Sequence, residues 1–362
     1  MRFGALRFAA AVAAASSMLA GCAQVVSSAT PTPVNFKACL ISSPAGFADS
    51  GVNAQSRYGL MQSLAQFGES ISAVELASGD GDAAVRRAGR KLVARGCGLI
   101  IGVGAASATS LIPLANGNPR VRFAILGFEG KVGGGEVSGT NLDAITFNSK
   151  LALIQAGYLA AARSSSAVVG VIARAGVAGV RQQIWYFRQG VEIFNQQAGA
   201  SVRVKNAEGA NPRQWNYLPA GAGDDRLALL TQSTIDAGAD VIMPLGVEGS
   251  SVASMAASAK RYVIGTDSDW ANETAFSTMK NTVLASIFRP VSQTVIDEVQ
   301  RSMGGAVASP TPVAADSISQ YEYNATLTPE ASVSWGDGVA GEVDKLAQEF
   351  AAGTLVYAEF PG

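Results

Sequence analysis

Residues 39 to 60, "CLISSPAGFADSGVNAQSRYGL", join a short apolar run to a Gly- and Ser-rich loop and then to a segment of helical pattern. That order, strand to glycine loop to helix, recurs along the chain. Strands are predicted at 36–42, 71–76, 98–103 and 121–127, with helices at 54–68, 81–95 and 105–115 between them. The rhythm resumes with helices at 148–163, 180–198, 224–237 and 250–259 and strands at 167–173, 201–206, 240–244 and 261–266. Such alternation makes βαβ units, so the expected fold class is α/β, with two parallel sheets each flanked by helices. Between the series, "GFEGKVGGGEVSGTN", 127–141, carries six glycines and reads as a loop leading to an interdomain crossing. A strand near 282–287 and a helix near 290–303 are expected to return to the first sheet, and the tail from about 305 to pack on the second.

The amino terminus has the secretory pattern: Arg2 and Arg7, an apolar run from Phe8 to Ala20, then small residues. The run falls short of the roughly 20 apolar residues of a spanning helix. Leu19-Ala20-Gly21-Cys22 resembles the lipobox of bacterial lipoproteins, which implies cleavage of residues 1–21 and a lipid on Cys22; the other reading is an ordinary secreted protein in which Cys22 is incidental. Residues 22–35 form a Ser-, Thr- and Pro-rich linker that cannot bury a core. The folded part is thereby expected at the extracytoplasmic face of the bacterial cell membrane.

About 340 residues remain, enough for two domains. With 27 basic and 28 acidic residues, two of the bases in the signal, there is no basic surplus to support nucleic-acid binding. The chain has no histidine, which excludes Ser-His-Asp and Cys-His catalysis and His metal sites. No CxxC spacing, P-loop or GxSxG occurs, and no cofactor or metal is expected. Cys39 and Cys97 are an even pair in an oxidising compartment, each opening an apolar run. Neighbouring parallel strands would bring them into a disulfide; two buried thiols are the alternative.

In open parallel sheets ligands bind beyond the carboxyl ends of the strands, which directs attention to residues just after each run. The loop after the first strand offers Phe47, Asp49 and Asn53 at a helix N-terminus, where Asp49, Ser50 or Asn53 can also serve merely as a cap and Phe47 as loop packing. Asp267 and Asp269 follow the strand at 261–266; paired carboxylates accept hydrogen bonds from vicinal hydroxyls, or act as acid and base, or simply close a turn. Lys280 adds a donor for the same polyol, and Trp185, Tyr186 and Phe187 offer a ring to stack on unless they are core. "PLGVEGSS", 244–251, repeats the strand and glycine-loop pattern around Gly246.

From about residue 36 to 300 the chain resembles the basic membrane protein family, the nucleoside-binding lipoproteins of ABC transporters. The likeness rests on "GFADSGVNAQSRYGL", "GCGLIIGVG" followed by "VRFAILG", "ITFNSKLALIQAGYLAA", "FRQGV", "DAGADVIMPLGVEG", "YVIGTDSD" and "STMKN" in shared order. The resemblance implies two Rossmann-like lobes joined by a hinge with the ligand between them. The expected division is 36–143 plus 272–304 for the N-terminal lobe and 144–271 plus 305–362 for the C-terminal lobe. Carried over position by position, it implies Asn53 reading a base, Phe187 stacking on it, Asp267 and Lys280 on the ribose, and Gly246 lining the cleft. Ser43 stands where the family has an aspartate, Gly51 where it has serine, Val52 where it has a stacking phenylalanine and Gly127 where an aspartate is frequent. The base end therefore departs from the pattern while the ribose end keeps it. The partners implied are a small nucleoside-like ligand, an ABC permease and ATPase, and the membrane through the lipid; the chain is expected to be a monomer. The other readings are a receptor that passes its signal to a sensor protein, and a hydrolase built on Asp267 and Asp269.

Overall fold

The computed structural model describes residues 35–47, 51–132, 135–137, 141–177, 179–304, 311–313, 319–330 and 333–361. Cys22, the linker up to residue 34, Asp49 and Ser50 lie outside the described residues. The first series is β1 (Lys37–Ile41), α1 (Val52–Phe67), β2 (Ser70–Val74), α2 (Asp82–Ala94), β3 (Leu99–Val103), α3 (Ala108–Asn116) and β4 (Arg122–Leu126). A small hairpin of β5 (Lys131–Val132) and β6 (Gly135–Glu136) precedes β7 (Leu142–Asn148). The second series is α4 (Lys150–Arg163), β8 (Val168–Ala173), α5 (Val180–Ala198), β9 (Arg203–Lys205), α6 (Asp224–Asp236), β10 (Val241–Leu245), α7 (Gly249–Ser258) and β11 (Tyr262–Asp267). Last come β12 (Val283–Phe288), α8 (Val291–Ser302), β13 (Thr311–Val313), β14 (Ser319–Asn324), β15 (Thr326–Pro329) and α9 (Val339–Ala351).

Two sheets result, in the orders β13-β14-β7-β4-β3-β1-β2 and β15-β12-β11-β10-β8-β9. Both are parallel except at one edge, where β13 and β15 run antiparallel to their neighbours. Parallel sheets are covered on both faces, so their strands are continuously apolar. All five residues of β3 and of β10 are buried. The helices bury one stripe each, as α2 does with Ala84, Val85, Ala88 and Leu92. Cys39 in β1 and Cys97 just before β3 form a disulfide between neighbouring strands. A bridge closing a 58-residue separation stabilises by about 4 kcal/mol in the chain-entropy model.

Three expectations are corrected. The segment 127–141 leads not to a crossing but to β7, which sits between β4 and β14 within the first sheet. Its carboxylate Asp143 disguised the strand, yet Asp143 is buried because Arg122 at the start of β4 donates to it at 2.7 Å. The strand near 282–287 is β12, and it joins the second sheet beside β11; only the helix after it, α8, returns to the first sheet's cover, placing Val291, Val295 and Val299 with β1 and β3. The tail likewise divides: β14 pairs with β7 in the first sheet and β15 with β12 in the second. The chain therefore passes between the sheets after β7, after β12 and after β14.

Candidate functional site

At the carboxyl end of β11 the backbone of Asp267 turns into the left-handed region, φ 75°. For a residue other than glycine this conformation carries strain and persists where the surroundings impose it, often at binding sites. The imposing contact is Arg289, which follows β12 and forms an ion pair with the Asp267 carboxylate, while its backbone N–H donates to the Asp267 carbonyl at 3.3 Å. Beyond Asp267 the chain is fixed by Trp270, whose ring packs against Gly265 and stacks on Phe276 at 4.1 Å. Asp269 accepts from Asn272 at 2.7 Å and so closes the local turn.

At the first sheet the loop after β1 is held by side chains behind it. The buried Asn53 accepts from the Ser43 N–H at 2.7 Å and donates to the Ser43 hydroxyl at 2.8 Å. Glu75, just after β2, accepts from the Phe47 N–H at 2.7 Å. Phe47 itself packs in the first core and carries the Arg57 guanidinium over its ring at 5.5 Å. Gln55 of α1 joins the two halves: it donates to Glu273 at 3.4 Å and accepts from Ser292 of α8 at 2.8 Å. Burial raises the Glu273 carboxyl above the usual carboxylate range, opposed in part by that hydrogen bond from Gln55.

A cavity of about 600 Å³ opens at the carboxyl end of β8. Its wall is the turn from Arg174 to Val177 with the first turn of α5, completed by Arg213, Tyr217, Phe360 of the tail and Glu129 from the loop after β4. Gly246 backs this wall: a Cβ on it would lie 2.9 Å from Val177, and its carbonyl accepts from Arg174 Nε at 3.2 Å.

The structure thus pairs Ser43 with Asn53, gathers Asp267 and Asp269 at one strand end and sets Gly246 against the cavity. It does not bring Phe187 or Lys280 to them. Phe187 is fully buried in the second core, where α4 and α5 cross so closely that a Cβ on Gly157 would lie 1.8 Å from the Phe187 carbonyl. The stacking role expected of Phe187 is corrected accordingly. Lys280 precedes β12, and the register that sets Val263 beside Val283 and Asp267 beside Phe288 puts it at the opposite end of the sheet. The intervening residues of β12 rise about 3.3 Å each, so the ends are roughly 15 Å apart. The cation beside Asp267 is Arg289. Both Arg289 and Arg174 come directly after a strand, which is the signal that marks them in the sequence.

Two parallel sheets with polar residues at the carboxyl ends of their strands, and chain crossings between the sheets, make a two-lobed α/β fold of the kind that solute-binding proteins have. The chain belongs to the Bmp family: the model for ABC transporter substrate-binding proteins of the PnrA-like type matches residues 37–308. That family is one of substrate-binding proteins, not enzymes. No curated protein matches the sequence. The fold is similar to that of an ABC transporter solute-binding protein from Conexibacter woesei DSM 14684, with TM-score 0.66 and 17% identity over 90% of this chain and 99% of that one. A solute-binding protein from Aeropyrum pernix K1 gives TM-score 0.67 at 13% identity over 90% and 94%. A transcriptional activator of the comK gene from Bacillus halodurans gives 0.66 at 19% over 91% and 100%.

Proposed function

We propose that the protein is a lipid-anchored, extracytoplasmic solute-binding protein that closes on a nucleoside-like ligand and delivers it to an ABC permease and its ATPase. The observation that carries the reading is Asp267, held in left-handed backbone by Arg289 at the carboxyl end of β11. A carboxylate so placed, with one side engaged by an arginine, offers its remaining lone pairs to the vicinal hydroxyls of a sugar. The lobes follow the sheets: β1 to β7 with α8, β13 and β14 make one, and α4 to β12 with β15 and α9 the other. Gln55, reaching Glu273 and Ser292, lies where the lobes meet. Closure there excludes water and strengthens each hydrogen bond to the ligand. Cys22 carries the lipid, and the linker holds the lobes off the membrane.

Mass spectrometry of ligand carried through purification, followed by calorimetric titration with nucleosides, free bases and sugars, tests the reading. Nucleoside binding that Asp267→Ala weakens by about tenfold or more supports it; binding of none of these ligands contradicts it. Labelled palmitate taken up by the parent and not by Cys22→Ala supports the anchor, and label persisting in the variant removes it.

A further inference from the structure

The cavity beside α5 is lined by more bases than acids. Three arginines line it, Arg174, Arg181 and Arg213, against one acid, Glu129, in a chain whose acids outnumber its bases. Among the described residues none of the three arginines is in an ion pair, whereas Arg289 is engaged by Asp267. Arg174 is nonetheless fixed in place: its guanidinium donates to the backbone carbonyls of Gly246 at 3.2 Å, Ala222 at 2.8 Å and Pro219 at 3.5 Å. Carbonyls orient a guanidinium without cancelling its charge. The first turn of α5 opens on the same space, with Gly179 and Val180 in the wall, so the positive end of the helix adds to the potential there. Tyr217 and Phe360 supply apolar walls on which a ring can lie.

We propose that this cavity receives an anionic group of the solute, a carboxylate or a phosphate, so that the transported ligand is an acidic, ring-bearing polyol. The inference rests on the nucleoside-like reading of the cleft and narrows it: a nucleoside bearing an anion is preferred over the neutral nucleoside. Arg181 and Arg213 make the charge-assisted contacts, Arg174 holds the β8 and β10 loops that frame them, and Glu129 sets the size of anion admitted by repelling those that extend toward it.

The test is calorimetric titration of the purified full-length protein with adenosine and uridine, their 5′-monophosphates, their 5′-carboxylates and inorganic phosphate, at low and high salt. The expected result is that an anionic derivative binds about tenfold or more tightly than its parent nucleoside, and that the preference falls with salt and collapses in Arg181→Gln/Arg213→Gln. Both arginines are exposed, so the double variant keeps the fold, which its unfolding midpoint checks. Neutral nucleosides that bind as tightly as their anions, or a preference that survives the double variant, would overturn the anion site while leaving the nucleoside reading in place. Arginine-dependent binding of inorganic phosphate without binding of any nucleoside derivative would keep the anion site and remove the nucleoside reading. Binding of none of the probes would overturn both.

Discussion

Two arginine–carboxylate groups in this protein invite comparison. One, Asp267 with Arg289, lies at the carboxyl ends of β11 and β12, partly exposed and strained in its backbone. The other centres on the amino ends of β4 and β7, where Arg122 meets Asp143; beside it Glu298 of α8 pairs with Arg301, and Asp297 accepts from Tyr323, which comes from the carboxyl end of β14. There Asp143 and Glu298 are almost fully buried, and burial, with repulsion from Asp143, pushes the Glu298 carboxyl up to about 8. The same residue types thus do two jobs. At the amino ends the charges compensate one another and lock α8, which arrives from the second sheet, onto the first. At the carboxyl ends they are left accessible. Strand direction tells the two apart where residue type does not.

The largest effect is expected from breaking the buried group. Arg301→Ala leaves the buried Glu298 without its cation, while Asp143 keeps Arg122, and should destabilise the fold by about 3–5 kcal/mol in urea unfolding, while any affinity of the folded protein for ligand stays within a factor of about two of the parent's, the distance from the cleft leaving no direct contact to lose. A comparable loss of affinity would show that the amino-end cluster belongs to the site.

A second effect follows from Glu298. Its folded value lies above the ordinary carboxylate one, so the folded state holds a proton that the unfolded chain releases. Stability from this group is therefore complete in acid below the unfolded value and is lost as pH rises through about 8. Unfolding free energy should fall between pH 5 and pH 8 on this account. Glu298→Gln, which keeps the shape without the titration, should flatten that slope; an unchanged slope would assign it to other groups.

Much of the fold is legible in the sequence because parallel strands are plain apolar runs; α5 is predicted and found at residues 180–198. What was not legible shares one cause, a contact distant in sequence. β7 is interrupted by Asp143, whose partner is 21 residues away. The sheet assignment of β12 depends on β11 and β15 rather than on its own residues. Phe187 looks like a stacking ring until Gly157 and Gly190 draw α4 and α5 together around it: a Cβ on Gly190 would lie 1.9 Å from the Ile154 carbonyl. Of the site, Asp267 and Gly246 were visible as residues after strands, and by the same rule Arg174 and Arg289 were available. Lys280 instead precedes its strand, which alone places it at the wrong end.

The smallest stability effect is expected at the carboxyl end. Asp267→Gly loses a partly exposed ion pair and relieves a left-handed backbone, two contributions that offset, so thermal unfolding should shift by less than about 1 kcal/mol in equivalent stability. A large loss would make Asp267 a structural residue like Asp143.

The most direct test of the account measures both halves of the comparison in one experiment. Asp267→Asn and Arg301→Ala are titrated with adenosine, uridine and their 5′-monophosphates at a temperature where both are folded, and their unfolding midpoints are recorded beside the parent's. The account predicts that Asp267→Asn loses about tenfold or more in affinity at an unchanged midpoint, and that Arg301→Ala loses midpoint at unchanged affinity. An Asp267→Asn variant that binds as tightly as the parent would contradict the assignment of the site to the carboxyl ends of the strands.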